Sequence, residues 1–114
     1  MCVLRGDIYY ANLKSYSQHV QKGWRPVLVI SNNKNNIYSP VVTIIPFTSV
    51  AKKKNLGTHV MIYKKYGLKI DSMALAEQSM PIDKELLLEK NYVGHINDNK
   101  LLDRIVQACI TQIS

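Results

Sequence analysis

Two polar side chains in this sequence stand at the ends of apolar runs and could together bind a phosphate group. Arg25 comes just before the run at 27–30, and Thr48 comes shortly after the run at 41–45. A guanidinium donates a planar pair of hydrogen bonds to two phosphate oxygens, and a hydroxyl adds a third donor. The alternative is that Arg25 is a solvated cation at a strand end and Thr48 a turn residue. The two residues alone leave both interpretations open.

The elements that carry these residues are predicted to be paired strands. Both runs are short, rich in β-branched residues and separated by a polar turn at 31–36. Continuous apolar runs suit strands that are covered on both faces, so we expect this hairpin in the middle of a sheet. In an antiparallel hairpin the beginning of one strand faces the end of the next, which would bring Arg25 and Thr48 together.

The remaining elements are predicted from hydrophobic periodicity and capping residues. Further strands are expected at 8–13, 58–63, 71–78 and 92–96, with loops at 14–24 and 50–57. Asp83 is predicted to cap a short helix at 84–90. The pattern as a whole predicts a mainly β fold with some α structure, a small and strongly bent antiparallel barrel with a C-terminal helix.

The C-terminal helix is predicted to begin after Asn97 or Asp98. Apolar side chains then recur at helical spacing, at Leu101, Leu102, Ile105, Val106, Cys109, Ile110 and Ile113. Because this stripe is wide, the helix could cover one side of the barrel and still leave apolar surface for a second copy of the chain.

Length and composition predict one globular domain, residues 1–114. The chain is 46% hydrophobic and 20% charged, and no apolar run approaches the roughly 18–20 residues that span a bilayer. The first residues lack the pattern of a signal peptide, so we expect a cytoplasmic protein that makes no membrane contact. Cys2 and Cys109 are interpreted as reduced thiols. The net charge of +7 favours polyanions such as nucleic acid as partners.

Several short motifs follow one another along the chain in a specific order and spacing. They are Arg5-Gly-Asp-Ile-Tyr-Tyr-Ala-Asn-Leu, Gly23-Trp-Arg-Pro-Val-Leu-Val-Ile-Ser-Asn, Pro46-Phe-Thr, Thr58-His-Val, Tyr66-Gly-Leu, Asp71-Ser and Glu77-Gln. This series, from about residue 4 to 110, resembles the MazF/PemK toxin family, the sequence-specific endoribonucleases of toxin–antitoxin modules. The resemblance implies an SH3-like barrel that forms a homodimer, and an antitoxin partner whose acidic, flexible tail competes with RNA.

The resemblance also implies a chemical role for the first two residues. Arg25 would stabilise the charge on a phosphorane and assist proton transfer, while Thr48 would bind a non-bridging oxygen. The sequence contains no metal-ligand cluster and no Gly-rich phosphate loop, so a nuclease built on it is predicted to need neither metal nor cofactor. The nucleophile would then be the 2′-hydroxyl of single-stranded RNA, giving a 2′,3′-cyclic phosphate and a 5′-hydroxyl end.

Further RNA contacts are predicted around this pair, from basic, amide, hydroxyl and aromatic side chains. The predicted set is His19, Trp24, Asn32, Ser49, Lys52, Lys53, Lys54 and Gln78. Trp24 could equally cap the core. His59 is interpreted as structural, because the sequence shows no carboxylate partner in register with it.

Two other function classes remain open at this stage. The gyrase-binding CcdB toxins share the fold implied by the resemblance, and a plain RNA-binding barrel would explain the positive charge without catalysis. The loops at 14–24, 50–57 and 78–82 depart most from the family pattern, so the RNA sequence that is cut does not follow from the resemblance.

Overall fold

The computed structural model describes residues 2–14, 23–49 and 59–113, the side chains through residue 111. Within these ranges the chain forms seven strands: β1 (Asp7–Leu13), β2 (Gly23–Val29), β3 (Val41–Ser49), β4 (His59–Ile62), β5 (Ser72–Leu75), β6 (Met80–Asp83) and β7 (Tyr92–His95). Two α-helices accompany them, α1 (Asn33–Tyr38) and α2 (Asn99–Ile113). Neither helix combines the length and apolar character that crossing a membrane would need.

All strand pairs are antiparallel, and the sheet follows the order β4-β5-β3-β2-β1-β7, with β6 also paired to β3. Strand β3 is the longest and contacts three others: β6 along its first half, β2 along its middle, and β5 along its last three residues. The sheet curls around this shared strand into a half-barrel. The predicted bent antiparallel barrel with a C-terminal helix is confirmed, as is the central position of the β2–β3 hairpin.

The apolar runs of β2 and β3 are buried on both faces. On one face, Leu28 and Ile45 belong to a core that α2 completes with Leu102, Ile105 and Ala108. On the other face, Val27 and Val29 pack in a second core closed by Val3 and Leu87. Double coverage explains why these strands are continuously apolar instead of alternating.

Two local predictions are wrong. The polar segment at 31–36 is not a plain turn but leads into α1, because the Asn32 side chain accepts a hydrogen bond from the Asn35 amide (2.9 Å) and caps the helix. The predicted helix at 84–90 is instead two 3-10 turns, Lys84–Leu86 and Glu89–Asn91. Asp83 makes no side-chain cap there, since it belongs to β6 and pairs with Val41.

Other boundaries are corrected in smaller ways. The predicted strand at 71–78 ends at Leu75, and Ala76–Gln78 form a 3-10 turn that leads into β6. The predicted loop at 14–24 ends earlier, since Gly23 already begins β2. Of the two proposed caps for α2, Asp98 is the one used: its Oδ1 accepts hydrogen bonds from the amides of Lys100 and Leu101.

The apolar side chains along α2 differ in how far they are buried. Leu102 and Ile105 are buried, whereas Ile110 is 46% exposed. Cys109 is half-buried and Cys2 exposed, both as free thiols, and burial raises the pKa of the Cys109 thiol.

Two glycines, Gly67 and Gly94, allow a turn to pack closely against strand β7. The turn at Tyr66 and Gly67, both with positive φ, lies directly against β7. A Cβ atom at Gly94 would overlap the Tyr66 carbonyl, and one at Gly67 would overlap the Val93 carbonyl. Only glycine at these two positions allows so close an approach of the backbones.

Candidate active site

Arg25 and Thr48 lie where β2 and β3 separate. The ladder between these strands pairs Leu28 with Ile45 and Val27 with Pro46, and no pair beyond Val27 and Pro46 is formed. In the same register, Arg25 would stand directly opposite Thr48. Beyond Pro46, β3 pairs instead with β5. The separation of the two strands opens a cavity between their ends.

The Arg25 side chain lies in this opening. Its Nη1 donates a hydrogen bond to the Phe47 carbonyl (3.2 Å), the group that a continued ladder would have used. Burial lowers the pKa of the half-buried guanidinium from its usual value, an effect that nearby Tyr10 opposes. Arginine nevertheless keeps its charge at neutral pH. The site therefore holds a positioned, partly desolvated cation.

Thr48 and its neighbours on β3 and β5 also line the cavity. Thr48 is 8% exposed and pairs with Met73 of β5, and Ser49 pairs with Ser72. The Ser72 hydroxyl donates to the Ile70 carbonyl (3.1 Å). Pairing between β3 and β5 thus holds Thr48 in a fixed place in the cavity lining.

The cavity has a volume of about 760 Å³. Its cationic lining residues are Arg25, Lys69 and Lys90, and no carboxylate lines it among the described residues. The other polar and aromatic lining residues are Tyr10, Trp24, Phe47, Thr48, Ser49, Ser72, Asn91 and Tyr92. Positive charge with hydroxyl donors suits a phosphate ligand.

Aromatic residues contribute to the cavity lining. Tyr10 and Trp24 stack with ring centroids 5.6 Å apart and an angle of 25° between their planes. Trp24 is 54% exposed, so the interpretation that it caps the core is wrong. Tyr92 packs edge-on against the fully buried Tyr9 at 5.5 Å. Burial, reinforced by Asp7, raises the pKa of Tyr9 to about 12.

Four of the predicted site residues share this cavity: Trp24, Arg25, Thr48 and Ser49. Asn32 lies past the other end of β2, capping α1, and Gln78 lies half-buried in the 3-10 turn before β6, and neither lines the cavity. His19, Lys52, Lys53 and Lys54 lie outside the described residues. The RNA contacts assigned to these six side chains stay predictions.

His59 has a carboxylate partner, contrary to the expectation from sequence. Its Nε2 lies 2.8 Å from Oε2 of Glu77, and the His59 side chain is 4% exposed. The partner was missed because the 3-10 turn after β5 folds Glu77 back toward β4. Neither residue lines the cavity, which agrees with a structural role for the pair.

Sequence reasoning missed Tyr10, Lys69, Lys90 and Tyr92 as cavity residues. One signal existed for Tyr10, since alternation along β1 points it away from the core. Lys69 and Lys90 come from turns that only the tertiary fold brings together. Among the described residues, no group of three His, Cys, Asp or Glu side chains could hold a metal ion.

Comparison with known proteins gives consistent matches over almost the whole chain. Residues 4–113 match the family model described as PemK-like, MazF-like toxin of type II toxin-antitoxin system. Endoribonuclease EndoA from Bacillus subtilis (strain 168) is 40% identical over 109 residues, which cover 95% of this chain and 91% of that protein.

Solved structures show the same fold at lower identity. MazF from Deinococcus radiodurans superimposes with a TM-score of 0.80 at 18% identity, covering 99% of this chain and 97% of that one. A mycobacterial endoribonuclease in complex with its cognate antitoxin gives 0.77 at 22% identity, covering 97% and 94%.

Proposed function

We propose a specific reaction for this chain, which belongs to the PemK-like, MazF-like family of type II toxins and is an endoribonuclease. The proposed reaction is the cutting of single-stranded RNA, including mRNA, at one short sequence. The observation that supports this best is the presence of both Arg25 and Thr48 in the lining of one cationic cavity. The match over residues 4–113 supports treating the chain as one toxin domain.

The reaction we propose is attack by the RNA on itself. The 2′-oxygen forms a bond to the adjacent phosphorus and loses its proton, while the bond from phosphorus to the 5′-oxygen breaks and that oxygen gains a proton. The products are a 2′,3′-cyclic phosphate and a 5′-hydroxyl end. No atom is supplied by water or a cofactor in this step, so the protein need only align the groups and stabilise charge.

Arg25 stabilises the two negative charges of the phosphorane in this proposal. Its hydrogen bond to the Phe47 carbonyl holds the guanidinium at the cavity wall before substrate arrives, so no reorganisation is needed during the reaction. The Thr48 hydroxyl donates to a non-bridging oxygen. A guanidinium has too high a pKa to be an effective base, so charge stabilisation is its main role.

We propose that cleavage is independent of metal ions. In support, the cavity lining offers hydroxyls, an amide and cations, whereas Mg²⁺ is bound through carboxylates and water. Cations at the positions of Arg25, Lys69 and Lys90 would repel a divalent ion and attract the phosphate directly.

The partners we propose are a second copy of the chain and an antitoxin, in the cytoplasm. The exposed Ile110 on α2 supports a homodimer contact. The net charge of +7 supports an acidic, flexible antitoxin tail that competes with RNA, and a structural relative was solved in complex with its cognate antitoxin.

The test is to incubate the purified chain with a long RNA in excess EDTA and to map the new ends. Cleavage at one short sequence, with a cyclic phosphate on one side and a 5′-hydroxyl on the other, is the expected result. Intact RNA with tight, salt-sensitive binding would indicate an RNA-binding barrel instead. Intact RNA together with binding to purified gyrase would indicate a CcdB-like toxin.

A further inference from the structure

We propose, building on the proposed function, that three aromatic residues of the cavity form a subsite that stacks an unpaired nucleobase beside the scissile phosphate. This aromatic row consists of Tyr10, Trp24 and Tyr92. It adds Tyr10 and Tyr92 to the recognition surface and gives Trp24 a defined function there.

The row runs across three neighbouring strands. Tyr92 lies on β7, Tyr10 on β1 and Trp24 on β2, and β1 pairs with both of the others. All three side chains line the cavity that also holds Arg25 and Thr48. A nucleotide whose phosphate lies at Arg25 therefore has aromatic surface within reach of its base.

All three residues are exposed enough for a ligand to reach them. Tyr10 is 43% exposed, Trp24 54% and Tyr92 46%. Tyr10 and Trp24 already stack nearly parallel, which is the arrangement that a planar base would extend. Base-on-ring stacking is the common way in which proteins hold single-stranded nucleic acid.

Charges around the row distinguish a nucleotide from other planar ligands. Lys90 is two residues before Tyr92, and Lys69 lies on the turn held against β7. With no carboxylate lining the described part of the cavity, the site attracts a phosphodiester on either side of a stacked base. An acidic peptide would share the charge preference but not the need for a parallel planar surface.

Stacking tolerates any base because every base has a π-face. The row is therefore a positioning subsite: it holds the RNA strand in place while other contacts select the sequence. Loss of a ring should weaken binding of the substrate and leave the chemical step unchanged, which appears as a raised KM with kcat retained.

Trp24 is the only tryptophan of the chain, so intrinsic tryptophan fluorescence reports on this subsite alone. The probe is single-stranded hexadeoxyadenylate, which lacks 2′-hydroxyls and so cannot be cut by the proposed reaction. Saturable quenching is expected. An abasic hexamer with the same number of phosphates should bind more weakly and leave the fluorescence nearly unchanged. Equal quenching by both oligonucleotides would overturn the proposal, since phosphate contacts alone would explain it.

Variants supply the matched comparison, with binding followed by the anisotropy of a labelled hexadeoxyadenylate. Trp24→Ala and Tyr10→Ala should each weaken binding about 5- to 100-fold, and Trp24→Phe should retain most of it. Tyr38→Ala is the control, because Tyr38 is 79% exposed on α1 and does not line the cavity. Equal affinity of the Trp24→Ala, Tyr38→Ala and unaltered chains would refute the subsite.

The two proposals fail in distinguishable ways. If the unaltered chain cuts RNA and Trp24→Ala cuts it with unchanged KM, the stacking subsite is wrong and the ribonuclease stands. If the unaltered chain leaves RNA intact while the hexamer quenches Trp24 and the abasic form does not, the subsite stands and the ribonuclease is wrong.

Discussion

Arg25 and Thr48 would stand opposite each other in the register of β2 and β3, but the ladder between these strands ends before it reaches them. The β2–β3 ladder stops at Val27 and Pro46, two residues before it would join them, and the Arg25 guanidinium donates to the Phe47 carbonyl where the next backbone bond would have formed. Because Pro26 has no N–H to donate to the Phe47 carbonyl and β3 turns toward β5, the strands open here. The break in the ladder opens the cavity whose lining contains both Arg25 and Thr48.

Replacing Arg25 with alanine should lower RNA cleavage about 100- to 1000-fold, the usual cost of removing one preorganised donor to developing charge. Arg25→Lys should recover only part of this loss, because an ammonium cannot donate a planar fork. Single-turnover cleavage of a short RNA substrate measures both. Circular dichroism should show that each variant is folded, and full activity in folded Arg25→Ala would refute the assignment.

Thr48→Val should lower the cleavage rate by about 100-fold while preserving the fold. Valine has nearly the same shape as threonine, so the packing of this 8% exposed side chain against β5 is kept and only the donor is lost. Thr48→Ser is the matched control and should retain most of the activity. If the valine and serine variants cleave at the same rate, the hydroxyl has no part in the reaction.

Gly94→Ala should destabilise the protein by about 3 kcal/mol, the upper end of the cost of overpacking, because the added methyl overlaps the Tyr66 carbonyl. The turn at Tyr66 and Gly67 would move away from β7 and carry Lys69 with it. Urea denaturation measures the loss. Gly23→Ala is a control for crowding: a Cβ there meets nothing within 4 Å, and only the cost of its positive φ remains. Equal stability of Gly94→Ala and the unaltered chain would contradict this packing.

His59→Ala should lower the free energy of unfolding by about 2 kcal/mol, the cost of losing a buried charge-assisted hydrogen bond. It would leave Glu77 without its contact at 2.8 Å, while Oε1 of that residue already has no hydrogen-bond partner in the described structure. Cleavage by the folded variant should stay within a few-fold of normal. A loss of 100-fold or more would mean that His59 acts as a general base.

Tyr9→Phe should change how stability depends on alkaline pH. The pKa of Tyr9 rises from 10.0 in the unfolded chain to about 12 in the fold. Between these values the unfolded chain has released the proton and the folded one has not, so stability falls as pH rises, by about 1.4 kcal/mol per pH unit. The difference in unfolding free energy between the two proteins should follow this slope between about pH 10 and 12. A constant difference would show that Tyr9 titrates normally.

The central hairpin was predictable because its signal is local. Short β-branched runs at 27–30 and 41–45 specify strands, and their continuous apolar character specifies coverage on both faces. The C-terminal helix was predictable for the same reason, since Asp98 and the periodic apolar residues after it carry the start and the buried face. The convergence of Arg25 and Thr48 follows from the register alone.

The errors lie where tertiary contacts override local pattern. Residues 78–82 were expected to be a loop, yet β6 forms at Met80–Asp83 with Pro81 opposite Thr43. A helix was predicted at 84–90 after Asp83, but Leu86 and Leu88 are exposed and the buried Leu87 anchors the segment to the second core. Lys69, Lys90 and Glu77 reach their places through turns, which sequence periodicity does not describe.

The most direct test of the proposed mechanism is one 2′-deoxy substitution at the nucleotide immediately 5′ of the mapped cut, in an otherwise unchanged RNA and in excess EDTA. Because the 2′-oxygen is the proposed nucleophile, we expect cutting at that bond to stop. Binding, measured by competition with the all-RNA substrate, should be nearly unchanged. Cleavage that continues at the same bond would mean that another group attacks phosphorus, and the mechanism assigned to Arg25 and Thr48 would be wrong.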